Sequence, residues 1–344
     1  MNTQNINTQH IQMRHANTRH MDIREAIDLA RKISEQVDGV IAGKKSVVEL
    51  TINALLAGGH VLLEDVPGVG KTTLAHALGA CIGGETGRIQ FTADMLPSDI
   101  TGVSIYNQST HDFSFHPGPL FANVVIADEI NRANPKTQSA MLEAMGEGTV
   151  SIDGVTRKLP QPFFVIATQN PIEMDGTYPL PEAQIDRFMV RTSLGYPDAQ
   201  ASKRMLTERL HADPLAQVSP VTDVRGLMEC IEVIKHVTVA EAIIEYIVLI
   251  VEATRTHGQV RYGASPRASL HLLAMARARA IMHERNYVTP QDVQAIASDV
   301  LAHRLVLTNR SADARSVMTH IIASTPAPQP TTPHVSNASG ANNL

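Results

Sequence analysis

Gly68, Gly70, Lys71, Thr72 and Thr73 stand together in EDVPGVGKTT, residues 64–73. A set of this kind suits the binding of a polyphosphate. The glycines allow backbone conformations that a side chain would forbid, so that successive N–H groups can turn toward one anion. Lys71 supplies charge for the terminal phosphates, the Thr72 hydroxyl is a ligand for Mg²⁺, and Val69 and Thr73 complete the expected nucleotide-contacting run 68–73. One letter departs from the pattern G-x-x-x-x-G-K-[ST]: Asp65 fills the first glycine position.

A second group lies downstream. The apolar run Val124-Val125-Ile126-Ala127 ends in Asp128-Glu129. Acids at the exit of a buried strand sit where ligands collect on a parallel sheet. Asp128 is expected to hold Mg²⁺, usually through water, and Glu129 to orient and deprotonate the water that attacks the phosphate. Farther on, Phe163-Phe164-Val165-Ile166-Ala167 leads into Thr168-Gln169-Asn170. An amide there can place the attacking water without carrying charge; Asn170 is the choice, with the equally polar Gln169 beside it.

Such groups need rigid supports. Val61-Leu62-Leu63 precedes the glycine-containing loop and Leu74-Ala75-His76-Ala77-Leu78 follows it, which gives strand, turn and helix. Short apolar runs at 88–91, 123–127, 163–167 and 188–192 alternate with helical or turn-rich segments, and that order predicts a parallel sheet covered on both faces. Ahead of it, the stripes Ile23, Ala26, Ile27, Ala30, Ile33, Val37 and Val47, Val48, Leu50, Leu55, Leu56 have helical spacing. Two stretches break the alternation as hairpins. One spans 104–118, and the other spans 149–159 around Asp153-Gly154, a dipeptide that favours a tight turn. From Pro197 onward the pattern predicts helices without strands, including one from 266 capped by Ser265-Pro266 and one from 289 opened by Thr289-Pro290.

Composition sets the outer bounds. The 344 residues suffice for about two domains. Apolar residues make up 43 %, yet no run approaches the roughly 18 needed to span a bilayer. No secretory signal is evident, and two distant cysteines, Cys81 and Cys230, fit a reducing compartment, so a cytoplasmic location is expected. Residues 1–20 are polar and free of acids, and 323–344 carry prolines and no charge; both read as disordered tails. His10, His15 and His20 do not share one helical face and carry no expected metal.

Taken together, the long stretches resemble the MoxR family of AAA+ ATPases. The likeness rests on EDVPGVGKTT at 64–73, RIQFTADMLPSDITG at 88–102, GPLFANVVIADEINRANPKTQSAMLEAM at 118–145, PFFVIATQNPIEMDGTYPLPEAQIDRF at 162–188 and GASPRA at 263–268. It covers roughly 20–320. The resemblance implies an α/β P-loop NTPase core at 21–197, with a five-stranded parallel sheet in the order 5-1-4-3-2. A helical segment at 198–322, linker and all-helical lid, would follow. It also implies ATP and Mg²⁺ bound between subunits of a homo-oligomeric ring, usually hexameric. The hairpins then match the helix-2 insert and the pre-sensor-1 hairpin. Asn170 matches sensor 1, Arg187 the arginine finger offered to the neighbouring subunit, and Arg267 sensor 2. The plainer reading of Arg187 is a surface ion pair with Asp186 or Glu182. Arg132 and Asn131 are left as structural or signalling residues.

The implied activity is ATP hydrolysis that remodels or matures a protein client. Family members are commonly linked to partners with von Willebrand A domains; no adhesion motif of that kind is present here, so such a partner would be a separate chain. A magnesium-chelatase-like motor subunit is the nearest alternative. A DNA motor would need basic hairpins, and the first hairpin has no Lys or Arg while the second has only Arg157 and Lys158; with a net charge of −5, nucleic acid is not an expected partner. A scaffold that has lost hydrolysis is disfavoured because Lys71, Asp128, Glu129, Asn170, Arg187 and Arg267 are all present.

Overall fold

The computed structural model describes residues 21–65, 68–170, 177–210, 213–309 and 311–329. Both expected tails lie outside these residues, save for the stretch 323–329.

Two helices open the chain. α1 (Ile23–Val40) starts on a capping box: the Asp22 carboxylate accepts from the N–H groups of Arg24 and Glu25, while Glu25 accepts from the Asp22 N–H. Its stripe Ala26, Leu29, Ala30, Ile33 and Val37 is buried. α2 (Lys45–Leu56) is enclosed almost all round, as its high apolar content requires.

The sheet follows. β1 (Val61–Glu64), α3 (Lys71–Cys81), β2 (Thr86–Gln90), α4 (Pro97–Thr101), β3 (Val124–Asp128), α5 (Pro135–Glu147), β4 (Phe164–Gln169), α6 (Glu182–Ile185) and β5 (Val190–Thr192) run in that chain order. The five strands are parallel and lie in the order β5-β1-β4-β3-β2. This is the expected 5-1-4-3-2. Register aligns Leu62 with Ala167, Ala167 with Ala127, and Ala127 with Ile89. The next row therefore sets Thr168 beside Asp128 at the carboxyl edge.

Both sheet faces are covered. One packs on α1, α2 and α3 and continues into the C-terminal helices through Leu227, Cys230, Leu272 and Met275. The other face packs Val125, Val165 and Phe188 against Met141, Leu142 and Met145 of α5. Burial on both faces explains why β3 and β4 read as unbroken apolar runs. The two buried thiols are inert supports: burial pushes Cys81 up to about 11 and Cys230 up to about 12.

The hairpins are present at Gly102–Asn107 with Asp112–Pro117, and at Thr149–Ile152 with Val155–Lys158. At the second turn Asp153 and Gly154 both take positive φ, 53° and 76°, the backbone that a tight two-residue turn needs. The guanidinium of Arg157 lies 4.1 Å over the Phe115 ring and joins one hairpin to the other.

Helices dominate the C-terminal part: α7 (Ala199–Arg209), α8 (Val224–Lys235), α9 (Glu241–Thr256), α10 (Pro266–Met282), α11 (Pro290–Leu301) and α12 (Ala314–Ser324). Ser265 and Thr289 are N-caps with proline at the first helical position. The expectation of helices without strands needs one correction, since Val260–Tyr262 pairs antiparallel with Val306–Leu307. The expected tail boundary at 323 also moves. The apolar stripe Val317, Met318 and Ile321 docks α12, which runs to Ser324, and the Thr325 hydroxyl donates to the Ile321 carbonyl at 2.8 Å. Pro326 then forbids continuation. Among the described residues, no helix is long and apolar enough to cross a membrane, and no group of His, Cys, Asp or Glu is arranged to hold a metal by itself.

Candidate functional site

Gly70 caps α3 at φ +98° and Gly68 stands at φ +85°. A Cβ at either would meet open space, so the requirement is for the left-handed backbone and not for room. Val66 and Pro67 lie outside the described residues. Lys71 is the first residue of α3, and its amine donates to the Asp65 carbonyl at 2.9 Å. Burial pushes that amine below the usual lysine value, while the charges of Asp65, Asp128 and Glu129 oppose the shift. The three carboxylates thus favour the charged form of a half-buried amine. Thr72 and Thr73 follow on the first turn, partly buried. Val69, Gly70 and Thr73 also line an open cleft whose other walls include Val40, Ile41, Pro197 and Met205.

Asp65 has a structural cause. Its side chain is buried, and its carboxylate accepts from the Ser193 hydroxyl (2.6 Å), the Leu194 N–H (2.6 Å) and the Gly195 N–H (2.8 Å). Glycine could do none of this. The loop after β1 is pinned to the loop after β5, and two orphan amides at the end of a short strand are satisfied.

Asp128 is buried at the end of β3; Arg88 Nε donates to it at 3.0 Å, and the Thr168 hydroxyl lies 3.5 Å from its other oxygen. Glu129 takes φ 57°, ψ 50°, a left-handed backbone that is costly outside glycine. Its N–H donates to the Thr168 hydroxyl at 2.9 Å, which holds that conformation in place. The Glu129 carboxylate pairs with the exposed Arg132 at 3.0 Å. Thr168 and Arg88 were not singled out from sequence, although the strand-end position of Thr168 was a usable signal. Asn170 follows β4 directly, and its carbonyl accepts from Asn131 Nδ2 at 3.3 Å, so the segment after Glu129 is tied to the exit of the next strand. Residues 171–176, part of the motif at 162–188, lie outside the described residues.

The arginines Arg187 and Arg267 are held by other partners. Arg187 donates to the Leu142 carbonyl on α5 and lies over Gly146, where a Cβ would displace its guanidinium. The surface ion pair with Asp186 is not what forms. Asp186 turns instead to the lid: Arg304 Nε donates to it at 2.8 Å, the Ser265 hydroxyl at 3.3 Å, and Arg267, half exposed, approaches to 3.8 Å. Arg304 is almost wholly buried; burial lowers its guanidinium to about 10, opposed by the charge of Asp186. Nothing in AHRLVL at 302–307 distinguishes this buried arginine from a surface one.

A phosphate-cradling loop before a helix, paired acids on the third core strand, a polar strand end on the fourth and a helical lid define an AAA-type ATPase. Residues 60–190 match the model of the ATPase family associated with various cellular activities, and residues 252–323 match the AAA lid domain. The chain is 45 % identical to Chaperone MoxR1 of Mycobacterium tuberculosis over 83 % of this chain and 77 % of that protein. It is 31 % identical to Protein MoxR of Methylorubrum extorquens, over 81 % and 88 % of the two chains. YeaC of Bacillus subtilis, described as uncharacterized, is 50 % identical over 81 % and 87 %. A solved structure from Cytophaga hutchinsonii superposes with a TM-score of 0.83 at 36 % identity, covering 89 % of this chain and 97 % of the other. The chain belongs to the MoxR family of AAA ATPases.

Proposed function

We propose that this chain is the subunit of a ring, hexameric in its working form, which spends ATP hydrolysis on remodelling a protein client. The observation that carries the reading is the half-buried Lys71 amine at the start of α3, held on the Asp65 carbonyl and kept charged by Asp65, Asp128 and Glu129 together. The apolar cleft beside Gly70 and Thr73 suits a flat base, while the amides of 68–73 suit phosphates. Mg²⁺ fits the donor set, because the Thr72 hydroxyl and the Asp128 carboxylate are hard oxygens, and Arg88 shows that Asp128 already sits against positive charge. When bound, the ion would neutralise charge on the phosphates.

Glu129 removes the proton of the attacking water, and Asn170 orients that water. The strained backbone at Glu129 fixes where the carboxylate starts, and Thr168 keeps it there. Release of Glu129 from Arg132 frees the base. Arg187 serves the neighbouring subunit's ATP and Arg267 its own, each with a permanently charged planar fork suited to a phosphoryl group.

The test is Glu129→Gln, which should bind ATP and turn over slowly; equal turnover in variant and wild type removes Glu129 as the base. The name of Chaperone MoxR1 supports a protein client, and a separate protein with a von Willebrand A domain is the expected type. A magnesium-chelatase-like role would differ only in that client. Against a DNA track stand the first hairpin, free of Lys and Arg, and Arg157, engaged over Phe115.

A further inference from the structure

Arg304 ends the short helical turn Ala302–Arg304 that follows α11, and its side chain is 2 % exposed. A buried guanidinium is tolerated only when its donors are used. Nε donates to the Asp186 carboxylate at 2.8 Å. Nη2 donates to the Phe188 carbonyl at 2.7 Å, lies 3.3 Å from the Asp186 carbonyl, and meets His271 Nδ1 at 2.6 Å. Nη1 donates to the Val300 carbonyl at 2.5 Å. His271 can accept that contact because it is neutral, lowered to about 3 by burial and by the charges of Arg304 and Arg267.

The residue between the two core acceptors is Arg187. One lid side chain therefore grips the backbone immediately before and immediately after it. The grip needs a rigid fork with several donors pointing in different directions; lysine has the charge but not the geometry. The same Asp186 carboxylate receives Ser265, the cap of α10, and stands 3.8 Å from Arg267 two residues later. The residue read as sensing this subunit's own nucleotide and the residue read as serving the neighbour's thus meet on one carboxylate.

We propose that Arg304 is a positioning residue: it fastens the Asp186-Arg187-Phe188 segment to the lid, so that lid position in one subunit sets whether Arg187 reaches the next subunit's ATP. This rests on the reading of Arg187 as the residue offered across the interface. Any movement of the lid on nucleotide binding would be carried by the grip into placement of the finger. Asp186 is the core-side anchor, and the Ser265 hydroxyl, 3.3 Å from its carboxylate, gives the lid a second hold on it.

The test is a double-mutant cycle on ATP turnover by the assembled full-length protein, with Arg304→Lys, Arg187→Ala and the pair, each checked by thermal melting. Arg304→Lys should lower kcat at least tenfold with half-saturating ATP within about twofold of wild type, and should cost nothing further in the Arg187→Ala background. Should Arg304→Lys fail to fold, Asp186→Asn takes its place in the same cycle, since it keeps both backbone carbonyls and removes only the charged acceptor. Independent, multiplying losses in the double variant, or a rise in half-saturation with kcat retained, would overturn the grip. If Arg187→Ala turns over normally, the interface reading itself fails and the proposal falls with it. If Arg187→Ala is slow while the folded Arg304 and Asp186 variants keep the wild-type kcat, only the grip is lost.

Discussion

Asp65 replaces a flexible glycine with an anchored carboxylate, and the exchange has a cost that can be measured. Three hydrogen bonds end on it, two of them from backbone amides that have nowhere else to turn. With bonds to charged groups contributing about 1.5–3 kcal/mol each and not adding fully, Asp65→Ala should lose about 3 kcal/mol in urea unfolding. Asp65→Gly, which restores the common motif letter, should be no better. At Glu129 the loss belongs to chemistry instead. Glu129→Gln should lower phosphate release about 10²–10⁴-fold, the usual share of a general base, with ATP affinity kept in an equilibrium titration. Thr168→Val tests the support beneath it: turnover should fall because the Glu129 N–H loses its acceptor, and the melting temperature should fall with it, since an orphaned donor costs about 1–3 kcal/mol.

Elements carry the acid sensitivity. His60, in the turn that enters β1, is fully enclosed, with Nδ1 accepting from the Val165 N–H at 3.1 Å and Nε2 3.2 Å from the Met145 carbonyl. Burial lowers it from 6.5 to about 4. The unfolded chain binds a proton that the folded one refuses, so its contribution is whole above pH 6.5 and is lost as the pH falls toward 4. At ~1.36 kcal/mol per unit that amounts to about 3 kcal/mol. Urea midpoints followed from pH 7 to pH 4 should decline, and His60→Asn should flatten the slope in that window. The sheet and its order were legible because apolar runs and helical stripes announce themselves, and the phosphate loop and Asp128-Glu129 because their residue types are specific. The ladder joining 260–262 to 306–307 was not legible: three residues and two residues are too short to show a period of two. The Arg304 contacts were hidden for another reason. Burial of a charge is decided by partners more than a hundred positions away, and no local pattern encodes it.

For the whole molecule, the proposed function has one chain supply Lys71 to one site and Arg187 to another. Mixing Lys71→Ala and Arg187→Ala subunits should restore activity that neither has alone, since mixed interfaces pair an intact loop with an intact finger; no rescue at any ratio would count against shared sites. Specific activity should also fall on dilution below the assembly concentration, and size-exclusion chromatography in ATP would report the same transition. Glu129→Gln rings held in ATP should retain the client in a pull-down, whose composition decides between a von Willebrand A partner and any other. One contact has a mechanical meaning. The Arg157 guanidinium lies over the Phe115 ring, so a cation over a ring joins the two hairpins. Such a joint tolerates lateral slip of a fraction of an ångström at little cost in energy.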